Sequence, residues 1–194
     1  LPQWYLPDPN PDNFVNPTKD PSRVTNTFNS AALQQSTGIQ RYAPLNGGFG
    51  VDAGFKGFYL NANFSFSQGK YLINNDAYFY ENPNQFPGFN QSVNVLDYWK
   101  KAGDVSRFPK WGQQFTQFDS RLVQNASFMR LKGLTIGYAL PKTILDRIKV
   151  IKGVDFAVTG RNLWTVTKYG GPDPEVDSNL SLGANPNTKQ IVVG

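Results

Sequence analysis

Asp173 and Glu175 stand two residues apart on either side of Pro174. A carboxylate pair can hydrolyse glycosides, one group acting as acid and the other as base or nucleophile. That chemistry needs the pair to converge across a cleft. Around a proline the same residues more readily shape a loop, because an Asp side chain bonds its own backbone two residues on. The stretch Asp8-Pro9-Asn10-Pro11-Asp12 imitates the opening of a calcium loop. It carries Asn13 where the sixth-position glycine belongs and Lys19 where the closing glutamate belongs, so it reads as a proline-rich loop. The sequence holds no cysteine and no histidine. Disulfides, thiolate zinc sites, haem attachment and Cys or His nucleophiles are therefore excluded. Neither a phosphate-cradling glycine loop nor a nucleophile constellation occurs. The expectation is a protein that is not an enzyme and uses no metal or cofactor.

Binding chemistry has more to work with. Aromatics run through the long segment from Gln68 to Gln124, among them Tyr98, Trp99 and Trp111. Such rings stack on sugars, or they pack on one another within a loop. A second set, Tyr59, Asn61, Asn63 and Ser65, recurs at every other position of an apolar stretch.

These residues need elements to position them. Phe49, Val51, Ala53 and Phe55 alternate with Gly48, Gly50, Asp52 and Gly54; Phe58, Leu60, Ala62, Phe64 and Phe66 alternate with the Tyr59 set. Period-two alternation predicts two strands, joined by a tight turn at Lys56-Gly57. Leu134, Ile136, Tyr138 and Leu140 predict a third strand that Pro141 stops. Met129 and Leu131 are bulky on the opposite parity, so the phase flips around Lys132-Gly133, the mark of a β-bulge. Val154 to Val166 predicts a fourth strand and Thr188 to Gly194 a fifth. Short helical turns are expected at Asn29–Gln35, Val95–Lys101 and Lys142–Lys149.

With 18 Gly, 14 Pro and only 17% charged residues in 194, the composition suits an all-β chain rich in turns. The net charge of +5 is spread thinly and forms no basic run of the nucleic-acid kind. No apolar run reaches the roughly 20 residues of a membrane-spanning helix, but barrel strands need only about 9–11. The Asn, Ser, Gly and Tyr of the polar strand face suit a hydrated, crowded interior better than a soluble outer face, which favours Lys, Glu and Thr. A long loop such as Gln68–Gln124 is unusual in a compact soluble domain and ordinary in an outer-membrane barrel.

The wording of these stretches adds to their pattern. Asn125 to Tyr138 closed by Leu140-Pro141, then Tyr42-Ala43-Pro44, Lys56-Gly57-Phe58, Gly69 to Asn75, Gly160-Arg161-Asn162-Leu163 and Asp173-Pro174-Glu175 together resemble the SusC/RagA family of TonB-dependent transporters. The resemblance implies that residues 1–194 are the C-terminal portion of a large, about 22-stranded transmembrane β-barrel. Its strands would be antiparallel, with long extracellular loops. It further implies a chain cut at both ends, since Leu1-Pro2-Gln3-Trp4 does not look like a natural start and the family's terminal aromatic is missing. The plug domain would be absent. The implied function is import of oligosaccharides or peptides across the bacterial outer membrane, driven by TonB through the plug and assisted by a SusD-like surface lipoprotein. Tyr59, Asn61, Asn63 and Ser65 would face the lumen, and Tyr98, Trp99 and Trp111 would touch substrate or the lipoprotein lid. The alternatives are a soluble glycan-binding β-sandwich and a hydrolase.

The expected strands are 47–56, 58–68, 127–140, 154–166 and 188–194, antiparallel neighbours in that order. Gly57 and 141–153 would face the periplasm, and 1–46, 69–126 and 167–187 the outside, because loop lengths alternate short and long.

Overall fold

The structure is a computed structural model. It describes residues 4–8, 20–34, 36–40, 42–82, 84–112, 120–146, 151–178, 180–181, 183 and 185–194. The calcium-loop mimic and the Ile148 end of the turn expected at Lys142–Lys149 lie wholly or partly outside the described residues. The chain divides into two compact units, Tyr42–Leu72 with Asn125–Ser178 and Ala184–Gly194, and Leu1–Arg41 with Ile73–Gln124 and Asn179–Gly183.

In chain order the strands are β1 (Trp4–Tyr5), β2 (Val24–Thr25), β3 (Leu45–Phe55), β4 (Phe58–Gln68), β5 (Tyr71–Asn74), β6 (Val123–Asn125), β7 (Phe128–Ala139), β8 (Asp155–Thr167), β9 (Leu180–Ser181) and β10 (Gln190–Val193). The first unit is built on one sheet in the order β10-β8-β7-β4-β3, antiparallel throughout. The five strands thus neighbour one another in the expected order, with β5, β6 and β9 lying outside this sheet. Phe55 pairs with Phe58 across the Lys56-Gly57 turn. Both turn residues have positive φ, 48° and 91°, the signature of the tight hairpin turn whose twist matches that of the strands. Gly57 also accepts the amide of Ala139 at 2.8 Å, which puts the Pro141 end of β7 beside this turn.

The register sorts the side chains into two faces. Phe55, Phe58, Tyr138 and Phe156 form one row across the strands; Ala53, Leu60, Ile136, Val158 and Val193 form the next. Further along, Phe49, Phe64, Leu131 and Trp164 make a third. This face is apolar from edge to edge and no layer covers it among the described residues: Phe58 and Phe156 are 60% exposed and Ile136 50%. The bulge falls where expected. Asn63 pairs with Gly133 and Phe64 with Leu131, so Lys132 has no partner in β4, while Asn162 and Leu163 together oppose it in β8. The four long strands have 11 to 13 residues, about 35–45 Å of chain. Tilted by 35–45°, that is enough to cross an apolar band about 25 Å tall.

A buried cluster of this unit lies beyond the end of the sheet away from the Lys56-Gly57 turn. It consists of Leu72, Ala126 and Tyr169, with Val176 packed on it.

In the second unit β1 pairs with β2, and β5 pairs with β9 in parallel, Ile73 with Leu180 and Asn74 with Ser181. Its helices are α1 (Ser30–Leu33), where a helical turn is expected, and α2 (Asn75–Tyr80); α3 (Lys142–Leu145) belongs to the first unit. The Asn74 side chain caps α2 by accepting the amide of Ala77 at 3.2 Å, satisfying one of the donors that a helix start leaves free. A 3-10 turn at Val93–Leu96 begins two residues before the helical turn expected at Val95–Lys101 and overlaps it only at Val95 and Leu96. β5, α2 and the parallel pairing have no period-two or helical signature long enough to read in sequence.

Candidate functional site

The polar face of the large sheet is a connected ladder. Asn61 donates to Asp52 and Asn63 donates to Asn61. Thr135 and Thr159, paired across β7 and β8, share a bond of 3.0 Å. The Tyr59 hydroxyl donates to Asp155 at 2.9 Å, two strands away. It reaches that far because its ring lies flat over Gly137, where a Cβ would come within 2.2 Å of the ring. A glycine at that position admits the close approach that any side chain would block. Asn63 is exposed, and Tyr59, Asn61 and Ser65 are partly so. The structure thus places the predicted set Tyr59, Asn61, Asn63 and Ser65 on one polar face.

At the far end of that face stands a residue that strand periodicity alone did not single out. Arg130 of β7 is 3% exposed. Its Nε donates to Thr165 Oγ1 at 3.0 Å. One terminal nitrogen bonds Asp173 Oδ1 at 2.6 Å, and the other ion-pairs with Glu175 Oε2 at 2.9 Å. Lys132 meets the second Glu175 oxygen at 2.7 Å. Asp173 accepts two backbone amides as well, Glu175 at 2.9 Å through Oδ1 and Asn187 at 2.8 Å through Oδ2. Burial pushes the Asp173 carboxyl up, but the Arg130 guanidinium and the two amides outweigh it and hold the group below its ordinary value. Lys70 goes the same way for the opposite reason. Its partial burial lowers it more than the nearby carboxylates raise it, and its ammonium donates to the Val176 carbonyl at 2.9 Å.

This arrangement answers the question raised by the Asp-Pro-Glu spacing. Both carboxylates are engaged by Arg130, and Asp173 already receives two amides, so the pair shapes a loop and does not flank an open cleft. The available sequence signal was an arginine among apolar residues on an inward parity, followed by two acids around a proline. Neither is periodic with the other.

In the second unit the predicted aromatics part company. Tyr98 and Trp111 meet edge to face, 5.5 Å between ring centres. Tyr98 packs on the buried Val95 and Phe108, and Lys100 sits 5.2 Å over its ring. Trp111 is half exposed. Trp99 is held through its backbone, its amide donating to the Phe108 carbonyl at 2.9 Å. A larger aromatic group, Tyr78, Phe79, Phe86 and Phe89, lies nearby in sequence. The Gln91 side-chain amide binds it together by donating to the carbonyls of Phe79, Phe86 and Phe89. Among the described residues no group of acidic side chains is placed to hold a metal ion.

Comparisons with known proteins follow this geometry closely. No family-wide sequence profile matches the chain. It is 29% identical over 160 residues to TonB-dependent receptor P3 of Formosa agariphila, covering 76% of this chain and 15% of that protein. It is 34% identical over 74 residues to TonB-dependent receptor SusC of Bacteroides thetaiotaomicron, covering 37% of this chain and 7% of the other. Among solved structures, the RagAB peptide importer in its closed-closed state superposes with a TM-score of 0.83 at 37% identity, over 98% of this chain and 20% of that one. The RagAB peptide transporter gives 0.82 at 33%, over 98% and 22%. The chain therefore spans about a seventh of the length of P3 and about a fifth of the solved chains.

Proposed function

We propose a function from one premise: the chain is a SusC/RagA-like stretch of antiparallel β-barrel. Residues 1–194 form the C-terminal portion of the wall of a TonB-dependent importer in the bacterial outer membrane. The observation that carries this is the single sheet with an uncovered apolar face and a bonded polar face. In water a face of that size is an aggregation hazard; in lipid it is the required exterior. The rows Ala53 to Val193 and Phe49 to Trp164 face lipid, with aromatic rings toward both borders, where headgroups favour them. Tyr59, Asn61, Asn63 and Ser65 face the lumen. The soluble sandwich is disfavoured because it needs a second sheet over the apolar face.

The cargo is an oligosaccharide or a peptide, and the RagAB likeness over nearly the whole chain favours the peptide. A SusD-like lipoprotein closes the mouth, and TonB acts through a plug supplied elsewhere in the protein. Tyr98, Trp99 and Trp111 stand on the extracellular side, against cargo or lid.

The test uses the intact transporter in liposomes with a nitroxide at Leu60→Cys or Asn63→Cys. Collision with oxygen dissolved in lipid should dominate at position 60, and collision with a water-soluble nickel chelate at position 63. Equal access to both reagents at both positions overturns the wall assignment. Trp99→Ala and Trp111→Ala should lower uptake or lid association while leaving the heat-resistant barrel intact. Loss of the barrel itself would make those residues structural.

A further inference from the structure

The Arg130 cluster invites a reading of its own, because of what it joins. Arg130 belongs to the wall. Asp173 and Glu175 belong to the chain that follows β8, and Asn187 to the approach to β10. Tyr169, 6% exposed, turns its ring over Gly171, where a Cβ would come within 2.4 Å of it. The Thr167 hydroxyl donates to the Ser127 carbonyl at 2.9 Å and accepts the amide of Tyr169 at 3.1 Å. The Lys70 ammonium holds the same segment at Val176. Arg130, Lys132, Ser127 and Lys70 thus tie 167–176 to β7, to its lead-in and to the β4–β5 connection, and Asn187 ties it to the approach to β10.

The wall does not need these bonds, since the β7–β8 ladder runs from Phe128–Thr167 to Ala139–Asp155 without them. A buried arginine sharing two carboxylates is also costly to desolvate, so it is weak evidence of added stability, and in some proteins such groups fix a unique arrangement instead. Their arrangement here fixes the segment and not the sheet.

We propose that Arg130 and Asp173 form a latch that holds residues 168–178 against the polar face of the wall, so that this segment forms the surface a solute meets at that end of the lumen. Arg130 is a positioning residue in this account. Asp173 is the hub, because it alone ties the wall, its own turn and the lead-in to β10. Glu175 is secondary, since Lys132 and its own 23% exposed side chain give it other company. The idea rests on the importer reading for the word lumen, but the latch itself is measured without transport.

The experiment places a nitroxide at the exposed Pro172→Cys in the full-length transporter, with Asn63→Cys as a wall control. In the parent the label at 172 should be immobilised. Asp173→Asn and Arg130→Gln should each free it, shifting most of the spectrum to the mobile component, while the label at 63 keeps its parental spectrum. Arg130→Lys keeps the charge but cannot reach Thr165 and both carboxylates together, so it should give an intermediate spectrum. Glu175→Gln should give a smaller release than Asp173→Asn. If Arg130→Gln fails to assemble, Asp173→Asn carries the test, because the asparagine conserves the shape of the aspartate. An immobile label at 172 in Asp173→Asn, beside an unchanged wall control, overturns the latch. Failure of the wall assignment would show instead at position 63 in the parent, as water and lipid reagents reaching both faces alike.

Discussion

Two arginine–carboxylate pairs, one in each unit, use the same chemistry under opposite conditions. Arg130 and Asp173 have side chains 4% exposed, at 2.6 Å. Arg107 is 46% exposed and its partner Glu81 6%, at 3.1 Å. In the wall a few desolvated groups concentrate the holding power. In the second unit it is distributed over many weak side-chain bonds to backbone. Asp104 accepts the amides of Lys100 and Lys101, Gln91 serves three carbonyls, and Glu81 also receives Asn94 at 2.8 Å. A wall whose ladder is already complete can commit one buried arginine to a single purpose. A loop without a ladder has to gather its order from contacts of short reach.

The contrast can be broken at its strongest point. Arg130→Leu leaves Asp173 buried without its cation and should cost about 3–5 kcal/mol in denaturant unfolding of the micelle-bound full-length protein. Arg107→Leu should cost about 1 kcal/mol or less, because the arginine is half in water and Glu81 keeps Asn94. Equal costs would erase the distinction between the two regions. Next in size, Leu60→Arg should cost about 2–4 kcal/mol if the residue is near the bilayer midplane, and Asn63→Arg far less; equal tolerance would show that the sheet does not separate lipid from water. Gln91→Ala should loosen the aromatic group by about 1–2 kcal/mol, seen as faster amide exchange confined to 78–92. Exchange rising across the whole unit would instead mean that its order is concentrated after all.

The smallest effect appears only in acid. The Asp173 carboxyl is held below its ordinary value of 3.8. The unfolded chain therefore takes up its proton first as pH falls, and the stabilising contribution, full above that value, is lost on descending through the lowered one. The latch should stay closed at pH 5 and open only below about 3.8, read from the label at position 172. Release near neutrality would contradict the depressed carboxyl.

Legibility in the sequence follows the same division. β4 begins and ends at the expected 58 and 68, and the other long strands lie within two residues of their expected bounds. β10, expected at 188–194, is Gln190–Val193. Alternation with glycine and proline stops encodes them locally, and the Lys132 phase flip could be read because bulky residues stand on both sides of it. The polar set from Tyr59 to Ser65 was readable for the same reason. The Arg130–Asp173 latch was not, since its members are 43 residues apart and ion pairs leave no period. In the second unit, α2 is one and a half turns long and is set by the Asn74 cap, and β5 finds its partners, β6 and β9, far along the chain. Packing of the loop rings on one another, as Tyr98 meets Trp111 edge to face, was one of two open readings for those rings, and ring composition alone could not choose between them.

The unpaired residue at Lys132 works like an inserted letter in a two-letter code. Upstream of it the odd positions Met129 and Leu131 spell the apolar face; downstream the even positions Leu134, Ile136 and Tyr138 do. Arg130 lies on the polar face because the bulge absorbs that insertion. Deleting Lys132 would remove the inserted letter itself: Leu131 would adjoin Gly133 as Phe64 adjoins Asn63, and with the downstream half held in frame Arg130 would stay on the polar face beside Asp173. A substitution at the same position changes one letter and leaves the frame alone. Deletion and substitution should therefore differ less here than at Thr135, which is paired with Asn61, so that its deletion shifts the frame and turns Arg130 to the apolar face.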